Sequence, residues 1–283
     1  FCGGGGGIAG SHGVPGAPCK VVAGFDNNPT ALAAVARNFP GVLPVAVDLG
    51  DERARHRKLD QLPPVPVWQI SSPCQSFSRN NSERDELDAR GHLFFTSAQD
   101  VVRYRPHAGW FENVEGIIGS ATLRASVRLL RAAGYTVSVR VVDCNMLGVG
   151  QARRRAIIVF TLNGEAALGR YDAIMDEMMT RTTTSIGDIL PHLKAEGFDA
   201  VYKRSRSTTR TSFGLDEPMS TITTSCMASR PVDYVPVAGD AAPPGRTKVC
   251  TMVEWCMLAG LQRSDTAYDP PTTLGDVGRI AGN

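Results

Sequence analysis

The chain has 283 residues, of which 42% are hydrophobic and 20% are charged, a balance that excludes a wholly disordered protein. Its 30 Lys and Arg residues against 28 Asp and Glu residues give a formal charge of +2, so any contact with nucleic acid requires a local basic patch. The seven cysteines form no paired framework, and no apolar run reaches the roughly 20 residues of a membrane span. We therefore expect a soluble protein of a reducing, intracellular compartment.

The first half of the chain alternates short apolar runs with helical patterns, which predicts an α/β fold with a mostly parallel sheet. In chain order, the predicted elements are strand 21–25, helix 30–39 behind an Asn28 cap, strands 45–47 and 65–70, helix 93–104, strand 108–111, helix 123–133, and strands 135–142 and 156–161. Several of these strands end in polar residues: Asp26, Asp48, Cys74, and Glu112 with Asn113. Ligands of open α/β sheets bind at such carboxyl ends, so the pattern predicts a site there.

After residue 161 the alternation decays. A Met-rich helical stretch is predicted at 173–179, residues 193–247 are rich in Ser, Thr, Arg and Pro, and a capping box at 251–254 opens a last helix that Gly260 closes. The basic residues of this half concentrate at Lys203, Arg204, Arg206 and Arg210. Such a cluster is either a solvated face or a set of phosphate contacts.

The glycine run at 3–7 has two interpretations, a flexible N-terminal segment or a turn that lets a nucleotide-like ligand approach the backbone. Because glycines and prolines that form helices poorly follow it, we expect no regular helix there. The carboxylates of Asp26 and Asp48 suit ribose hydroxyls and an exocyclic amine and would repel phosphates. Together these features favour an adenosine ligand without a phosphate tail.

Three further features have a structural and a chemical interpretation each. A lone cysteine is usually a small core residue. We predict this packing role for six of the seven cysteines, whereas Cys74 has polar loop neighbours. Glu112 is either a solvated loop residue or a group that hydrogen-bonds a heterocycle and supplies a proton. Arg153 and Arg155 would share one face of an extended stretch, either as a basic turn or as a clamp for a carbonyl oxygen and a phosphate.

The order of these motifs resembles the cytosine-5 DNA methyltransferase family, over nearly the whole chain. The motifs that carry the resemblance are Phe1–Gly5, Asp26, Asp48, Pro73-Cys74-Gln75, Glu112-Asn113-Val114, Gln151–Arg155, and the segments 88–95, 215–223 and 279–283. The resemblance implies a Rossmann-like, S-adenosylmethionine-dependent methyltransferase fold. It also implies a catalytic domain of residues 1–190 plus 248–283 and a small, mainly irregular or β target-recognition region at 191–247.

In this family the chemistry implied for Cys74 is addition to C6 of a cytosine flipped out of the DNA. Glu112 would hold the N3/N4 edge of the base, Arg155 would contact O2, and Arg153 would support the loop or a phosphate. A methyl or related group would then move from S-adenosylmethionine to C5, leaving S-adenosylhomocysteine.

The resemblance also assigns binding residues. Those implied for the cofactor are Phe1, Gly3, Gly5, Asp26, Asn27, Asp48, Leu49 and Asn283. Those implied for DNA are Gln75, Ser76, Ser78, Arg79, Asn113 (which would also brace the cysteine loop), Gln151, Lys203, Arg204, Arg206 and Arg210. No metal is implied. The expected partner is double-stranded DNA, and we expect a monomer in the cytoplasm, at the nucleoid, of bacterial or phage origin.

Several positions depart from the family pattern. Asn27 replaces a bulky apolar residue, Ser71-Ser72 replace Gly-Pro, Gly150 replaces Pro, and residues 8–18 replace an amphipathic helix. Both ends of the chain look clipped. Two alternatives stay open. The first is a tRNA cytosine-5 methyltransferase, which the absence of that branch's Cys-Phe-Thr signature disfavours. The second is a catalytically inactive homologue that binds DNA or a partner.

Overall fold

A computed structural model of the protein describes residues 2–3, 5–12, 20–73, 89–179, 182–202, 212–221, 247–250 and 252–260. These residues fall into two compact units, which we describe separately. The first unit contains residues 47–143 and 154–181, and the second contains residues 2–46, 144–153 and those that follow residue 181. Over the described ranges, no helix is long and apolar enough to cross a membrane.

The strands are β1 (Ala23–Asp26), β2 (Leu43–Ala46), β3 (Val67–Ile70), β4 (Ala108–Val114), β5 (Thr136–Asp143), β6 (Gln151–Ala152), β7 (Arg154–Thr161), β8 (Ala200–Tyr202), β9 (Ser212–Gly214), β10 (Met219–Ser220) and β11 (Thr247–Val249). The α-helices are α1 (Gly6–His12), α2 (Pro29–Asn38), α3 (Glu52–Leu59), α4 (Ala89–Tyr104), α5 (Ala121–Ala132), α6 (Glu165–Met178), α7 (Ile186–Ile189), α8 (His192–Ala195) and α9 (Met252–Leu258).

The first unit is built around a four-stranded sheet in the order β3-β4-β7-β5. Strand β3 is parallel to β4, and β7 is antiparallel to both of its neighbours, β4 and β5. Strands β3, β4 and β5 therefore share one direction, and β7 is the reversed strand. At Gly109 in β4, an added Cβ would lie 2.2 Å from the Trp68 carbonyl oxygen, so this strand contact requires glycine.

The core of the first unit is aromatic. The rings of Phe94 and Phe111 lie 4.9 Å apart, and Phe160 lies 5.4 Å from Phe111 and 5.4 Å from Tyr135. Burial alternates along β4, with Phe111 and Asn113 buried and the residues between them partly exposed. Because successive strand residues point to opposite faces, the Glu112 side chain lies on one face of the sheet and those of Phe111 and Asn113 lie on the other.

The second unit begins with the parallel pair β1 and β2, which α2 connects. The Asn28 side chain accepts hydrogen bonds from the backbone N–H groups of Thr30 and Ala31, and Pro29 occupies the first helical turn. These contacts confirm the cap predicted from the sequence. The buried residues Val35 and Val42 pack with Ile8 of α1.

The later part of the second unit has its own apolar cluster. Ile186, Leu190, Phe213, Trp255 and Leu258 are buried together in it. Strand β8 pairs antiparallel with β9 and parallel with β11, and β6 pairs parallel with β10. The boundaries of the target-recognition region, 191–247, stay a prediction.

Three helices differ from the sequence-based expectation. The expectation of no regular helix after the glycine run is wrong for 6–12, where α1 forms and its Ile8 is 5% exposed. Packing of that one apolar side chain outweighs the poor helix propensity of its glycines. Helix α3 was not predicted, and α6 begins at Glu165 rather than at residue 173.

Candidate active site

In the second unit, the glycine turn is tied to the carboxylate that ends β1. The Gly3 N–H donates to Asp26 Oδ2 at 2.8 Å, and the Asn28 N–H donates to Asp26 Oδ1 at 3.0 Å. Gly3 and Gly5 have φ angles of 51° and 93°, which favour glycine. Asp26 is half-buried, and each carboxylate oxygen can accept more than one hydrogen bond, so it can also accept from a sugar hydroxyl.

Cys2, beside this turn, is unsuited to nucleophilic attack. Burial raises the pKa of its thiol to about 11, so the thiol is protonated at neutral pH. A protonated, partly buried thiol fits the packing role predicted for the cysteines other than Cys74. Asn27, which follows Asp26, is exposed.

In the first unit, Asp48 opens a tight turn that leads into α3. Its Oδ1 accepts a hydrogen bond from the Gly50 N–H at 2.8 Å, and its backbone carbonyl accepts from the Asp51 N–H at 3.1 Å. The Asp48 side chain is exposed, and Leu49 is partly buried. The turn thus presents a carboxylate to solvent in a fixed orientation.

The centre of the candidate site is an ion pair on the sheet of the first unit. Arg155 Nε lies 2.9 Å from Glu112 Oε1, and the side chains are 12% and 22% exposed. In the β4–β7 register Glu112 is opposite Ile157, so Arg155 is its diagonal neighbour on the same face. The pair presents an acceptor and a fork of donors side by side, as a base with an amino and a carbonyl group requires.

Asn113 points to the opposite face and holds the end of β3. Its amide Nδ2 donates to the backbone carbonyl of Ser72 at 3.2 Å and lies 3.3 Å from the Ser72 hydroxyl. Both residues are buried. Ser72 precedes Cys74 by two positions in the sequence, so this contact fixes the chain just before the cysteine motif.

Gln151 and Arg153 belong to the second unit. Gln151 is buried, and its Nε2 donates to the carbonyl of Leu258 at 3.2 Å. The carbonyl of Arg153 accepts from the Cys144 N–H at 2.9 Å, and the Thr221 hydroxyl donates to the Ala152 carbonyl at 2.6 Å. These contacts hold the Gln-x-Arg part of the motif as an extended segment, with the Gln151 side chain directed into the protein.

Asn145 is a residue that the sequence analysis missed. It is buried, and its amide Nδ2 donates to the carbonyls of Val149 and Thr184, the first at 3.0 Å. This clamp closes the loop ahead of Gly150, where the family pattern has a proline. An added Cβ at Gly150 would lie 2.9 Å from Ile189 Cγ1, so the packing leaves little space for a larger residue. The departure at Gly150 was the available signal.

The remaining predicted site residues lie outside the described part of the chain. They are Phe1, Cys74, Gln75, Ser76, Ser78, Arg79, Lys203, Arg204, Arg206, Arg210 and Asn283. Among the residues that are described, no group of three or more His, Cys, Asp or Glu side chains could hold a metal ion.

Comparison with known proteins shows which family the sequence matches. The sequence profile of the family described as C-5 cytosine-specific DNA methylase matches residues 1–239. The type II methyltransferase M.HindV of Haemophilus influenzae is 29% identical over 207 residues, which are 72% of this chain and 65% of that protein. M.NlaIV of Neisseria lactamica, also a type II methyltransferase, is 27% identical over 164 residues, which are 53% of this chain and 36% of that protein.

Solved structures show the fold. The methyltransferase EhMeth of Entamoeba histolytica superposes with a TM-score of 0.67 at 17% identity, covering 100% of this chain and 91% of that one. The Dnmt2 methyltransferase of S. pombe gives a TM-score of 0.63 at 17% identity. The expected Rossmann-like methyltransferase fold is thereby confirmed. Among the curated relatives, the chain spans about a third of the length of M.NlaIV.

Proposed function

Because the chain belongs to the C-5 cytosine-specific DNA methylase family, we propose that it is a DNA cytosine-5 methyltransferase. Its reaction transfers a methyl group from S-adenosylmethionine to C5 of a cytosine in double-stranded DNA and releases S-adenosylhomocysteine. The observation that carries this proposal is the Glu112–Arg155 pair on the sheet of the first unit, 2.9 Å between Oε1 and Nε, with side chains 22% and 12% exposed.

The pair complements one edge of cytosine. The Glu112 carboxylate accepts from the N4 amine and stabilises a proton at N3, while the Arg155 guanidinium donates to O2. The Arg155 contact to O2 and the proton that Glu112 holds at N3 both become more favourable as negative charge moves into the ring during nucleophilic addition, so they favour the transition state over the ground state. The ion pair also orients each group before the base arrives, which lowers the cost of ordering them.

The cysteine performs the addition. The Cys74 thiolate forms a bond from Sγ to C6, which interrupts the aromatic ring and makes C5 nucleophilic. Bound S-adenosylmethionine supplies an electrophilic methyl group on its sulfonium. After C5 is methylated, solvent water accepts the C5 proton, and the electron pair of that C–H bond re-forms the C5–C6 double bond as Cys74 leaves C6 as a thiolate. Asn113, through its bonds to Ser72, holds the chain that leads to this cysteine.

The cofactor residues are assigned by the family resemblance and fit the described geometry. The glycine turn with Asp26 would contact the ribose, and Asp48 would accept from the adenine amine. Within the second unit, the left-handed backbone at Gly3 and Gly5 beside the Asp26 carboxylate supports a neutral nucleoside over a phosphate. The full set is Phe1, Gly3, Gly5, Asp26, Asn27, Asp48, Leu49 and Asn283.

DNA contacts complete the proposal. Gln75, Ser76, Ser78 and Arg79 are assigned to the target site, and Lys203, Arg204, Arg206 and Arg210 to backbone or base contacts. Asn113 and Gln151, also assigned to DNA by the resemblance, are buried and would support the target site from within the protein. The protein would work as a monomer in the cytoplasm, at the nucleoid. Type II methyltransferases of bacteria among its relatives support this placement.

Covalent trapping tests the function. The protein is incubated with a duplex that contains 5-fluorocytosine and with S-adenosylmethionine. Because fluorine at C5 cannot leave as a proton does, Cys74 stays bonded to C6, and a denaturation-resistant adduct is expected. Cys74→Ala should abolish the adduct, while Cys144→Ala, a matched change at another cysteine, should retain it. An adduct in Cys74→Ala, or methylation of RNA but not of DNA, would refute the proposal.

A further inference from the structure

A second arginine of the first unit is buried against the turn that holds Asp48. Arg55, on α3, is 4% exposed. Its Nη1 donates to the backbone carbonyl of Leu49 at 2.6 Å, and its Nε lies 2.7 Å from Asp100 Oδ2 on α4. The guanidinium therefore joins the turn after β2 to a helix that is distant in the sequence.

Burying these charges is costly unless each is paired and hydrogen-bonded. Asp100 is 5% exposed; its Oδ2 forms the ion pair with Nε, and its Oδ1 accepts from Arg55 Nη2 at 3.4 Å and lies 2.9 Å from His56 Nε2. The planar guanidinium donates in several directions at once, which a lysine ammonium on a flexible stem cannot reproduce with the same geometry. The contact to Leu49 is therefore specific to arginine.

The carbonyl that Arg55 holds is part of the turn that orients Asp48. Asp48 Oδ1 accepts from the Gly50 N–H, and the Asp48 carbonyl accepts from the Asp51 N–H, so Leu49 lies in the middle of the turn. Asp48 itself is exposed, and the hydrogen bond from the Gly50 N–H within this turn sets the direction of its carboxylate. The direction depends on the turn, and the turn is held from the protein side by Arg55.

We infer that Arg55 is a positioning residue for recognition of the adenine amine: by fixing the Leu49 carbonyl it aims the Asp48 carboxylate at the exocyclic amine of the cofactor. This inference rests on the proposed function, in which Asp48 accepts from that amine. Arg55 touches no ligand in this role. Its loss should therefore weaken recognition of the amine more than recognition of the rest of the nucleoside.

Binding of two nucleosides separates this role from general structural support. S-adenosylhomocysteine and its inosine analogue, which lacks the amine, are titrated into wild-type protein, Arg55→Lys and the control Arg57→Lys by calorimetry. Arg57 lies on the same helix and is exposed. Wild-type protein should prefer the adenosine form by roughly ten- to a hundredfold, as one hydrogen bond to a charged group provides. Arg55→Lys should lose most of this preference by weakening adenosine binding, and Arg57→Lys should keep it.

The possible outcomes have distinct meanings. Equal weakening of both nucleosides in Arg55→Lys, or an unchanged preference, would overturn the inference and leave the proposed function intact. Failure of wild-type protein to bind S-adenosylhomocysteine would overturn the proposed function as well. If Arg55→Lys does not fold, as circular dichroism would show, the isosteric Asp100→Asn serves instead. It removes the charge that orients Arg55, and it should shift the preference in the same direction by a smaller factor.

Discussion

In the pair on the sheet, the side chains of Arg155 and Glu112 are 12% and 22% exposed, whereas those of Arg55 and Asp100 between the helices are 5% and 7% exposed. Both pairs have similar N–O distances, 2.9 and 2.7 Å. What differs is exposure, since both side chains of the sheet pair are more exposed than those of the helix pair.

The supports of the two pairs also differ. Arg155 and Glu112 are diagonal neighbours in a strand register, which fixes their backbones, and Arg155 Nη1 also donates to the Arg154 carbonyl at 2.8 Å. The Arg55–Asp100 pair is completed by the Leu49 carbonyl and by His56, so its hydrogen-bonding capacity serves the fold. Similar chemistry therefore serves binding at one place and architecture at the other, and mutations should separate activity from stability accordingly.

The largest effect is expected at the sheet pair. Glu112→Gln keeps the shape of the side chain but removes its charge, so kcat should fall about 10² to 10⁴-fold, the range for losing a positioned acid or base. Single-turnover assays with a methyl-labelled cofactor measure this, and thermal unfolding should change little. A variant with normal turnover, or one that is mainly unfolded, would show that this pair is architectural.

The helix pair should show the opposite result. Asp100→Ala leaves the Arg55 guanidinium buried without its counter-charge and should cost about 3–5 kcal/mol of the free energy of unfolding. The control is Asp176→Ala, which removes an ion pair to Arg140 from a carboxylate that is 70% exposed and should cost about 1 kcal/mol or less. Urea unfolding of both variants makes the comparison, and equal losses would contradict it.

Asn113 tests whether one residue can contribute to both activity and stability. Asn113→Ala removes the amide that bonds Ser72 and should cost about 1–3 kcal/mol of stability, because a buried partner loses its hydrogen bond. It should also lower kcat while the KM for S-adenosylmethionine changes little, since the strand that leads to Cys74 loosens. The exposed Asn163→Ala is the control. An Asn113→Ala variant with full activity would limit this residue to stability.

The smallest effect concerns an exposed carboxylate. The Ser185 backbone N–H and hydroxyl donate to Asp188, which lowers the pKa of that carboxyl below its ordinary value of 3.8. Because the pKa of Asp188 is lower in the folded state, its stabilisation of the fold is present at pH values above the ordinary pKa. That stabilisation is lost as the pH falls through the lowered pKa of the folded state. Asp188→Asn should cost on the order of a few tenths of a kcal/mol near neutral pH. Urea unfolding in strong acid should show no such difference.

Much of the fold could be predicted from the sequence because local signals specify it. The Asn28-Pro29 cap, the β-branched runs of the sheet and the polar strand ends each depend on neighbouring residues. Helix α3 could not be predicted in this way. Its sequence, Glu-Arg-Ala-Arg-His-Arg-Lys-Leu, has little apolar periodicity, and its buried residue is Arg55. That burial depends on Asp100, far along the chain, which no local pattern reveals.

In the candidate site, too, some features could be predicted from the sequence and others depend on tertiary structure. Motif order pointed to Glu112 and Arg155, but their contact follows from the antiparallel register of β4 and β7, which is a tertiary property. Asn145 shows the opposite case, since its one signal was the nearby glycine at position 150, and its partners Val149 and Thr184 come from different segments.

The reversed direction of β7 restricts how this protein can change over evolutionary time. Because side chains alternate faces along a strand, inserting one residue between Arg155 and Ile157 would turn the arginine away from Glu112 while the rest of the ladder stayed paired. Substitutions in this segment can be gradual in their effect, but a change in length removes the contact in one step. We therefore expect lineages that keep the chemistry to preserve the length of this segment, with a small apolar residue at the buried position 156 between Arg155 and Ile157.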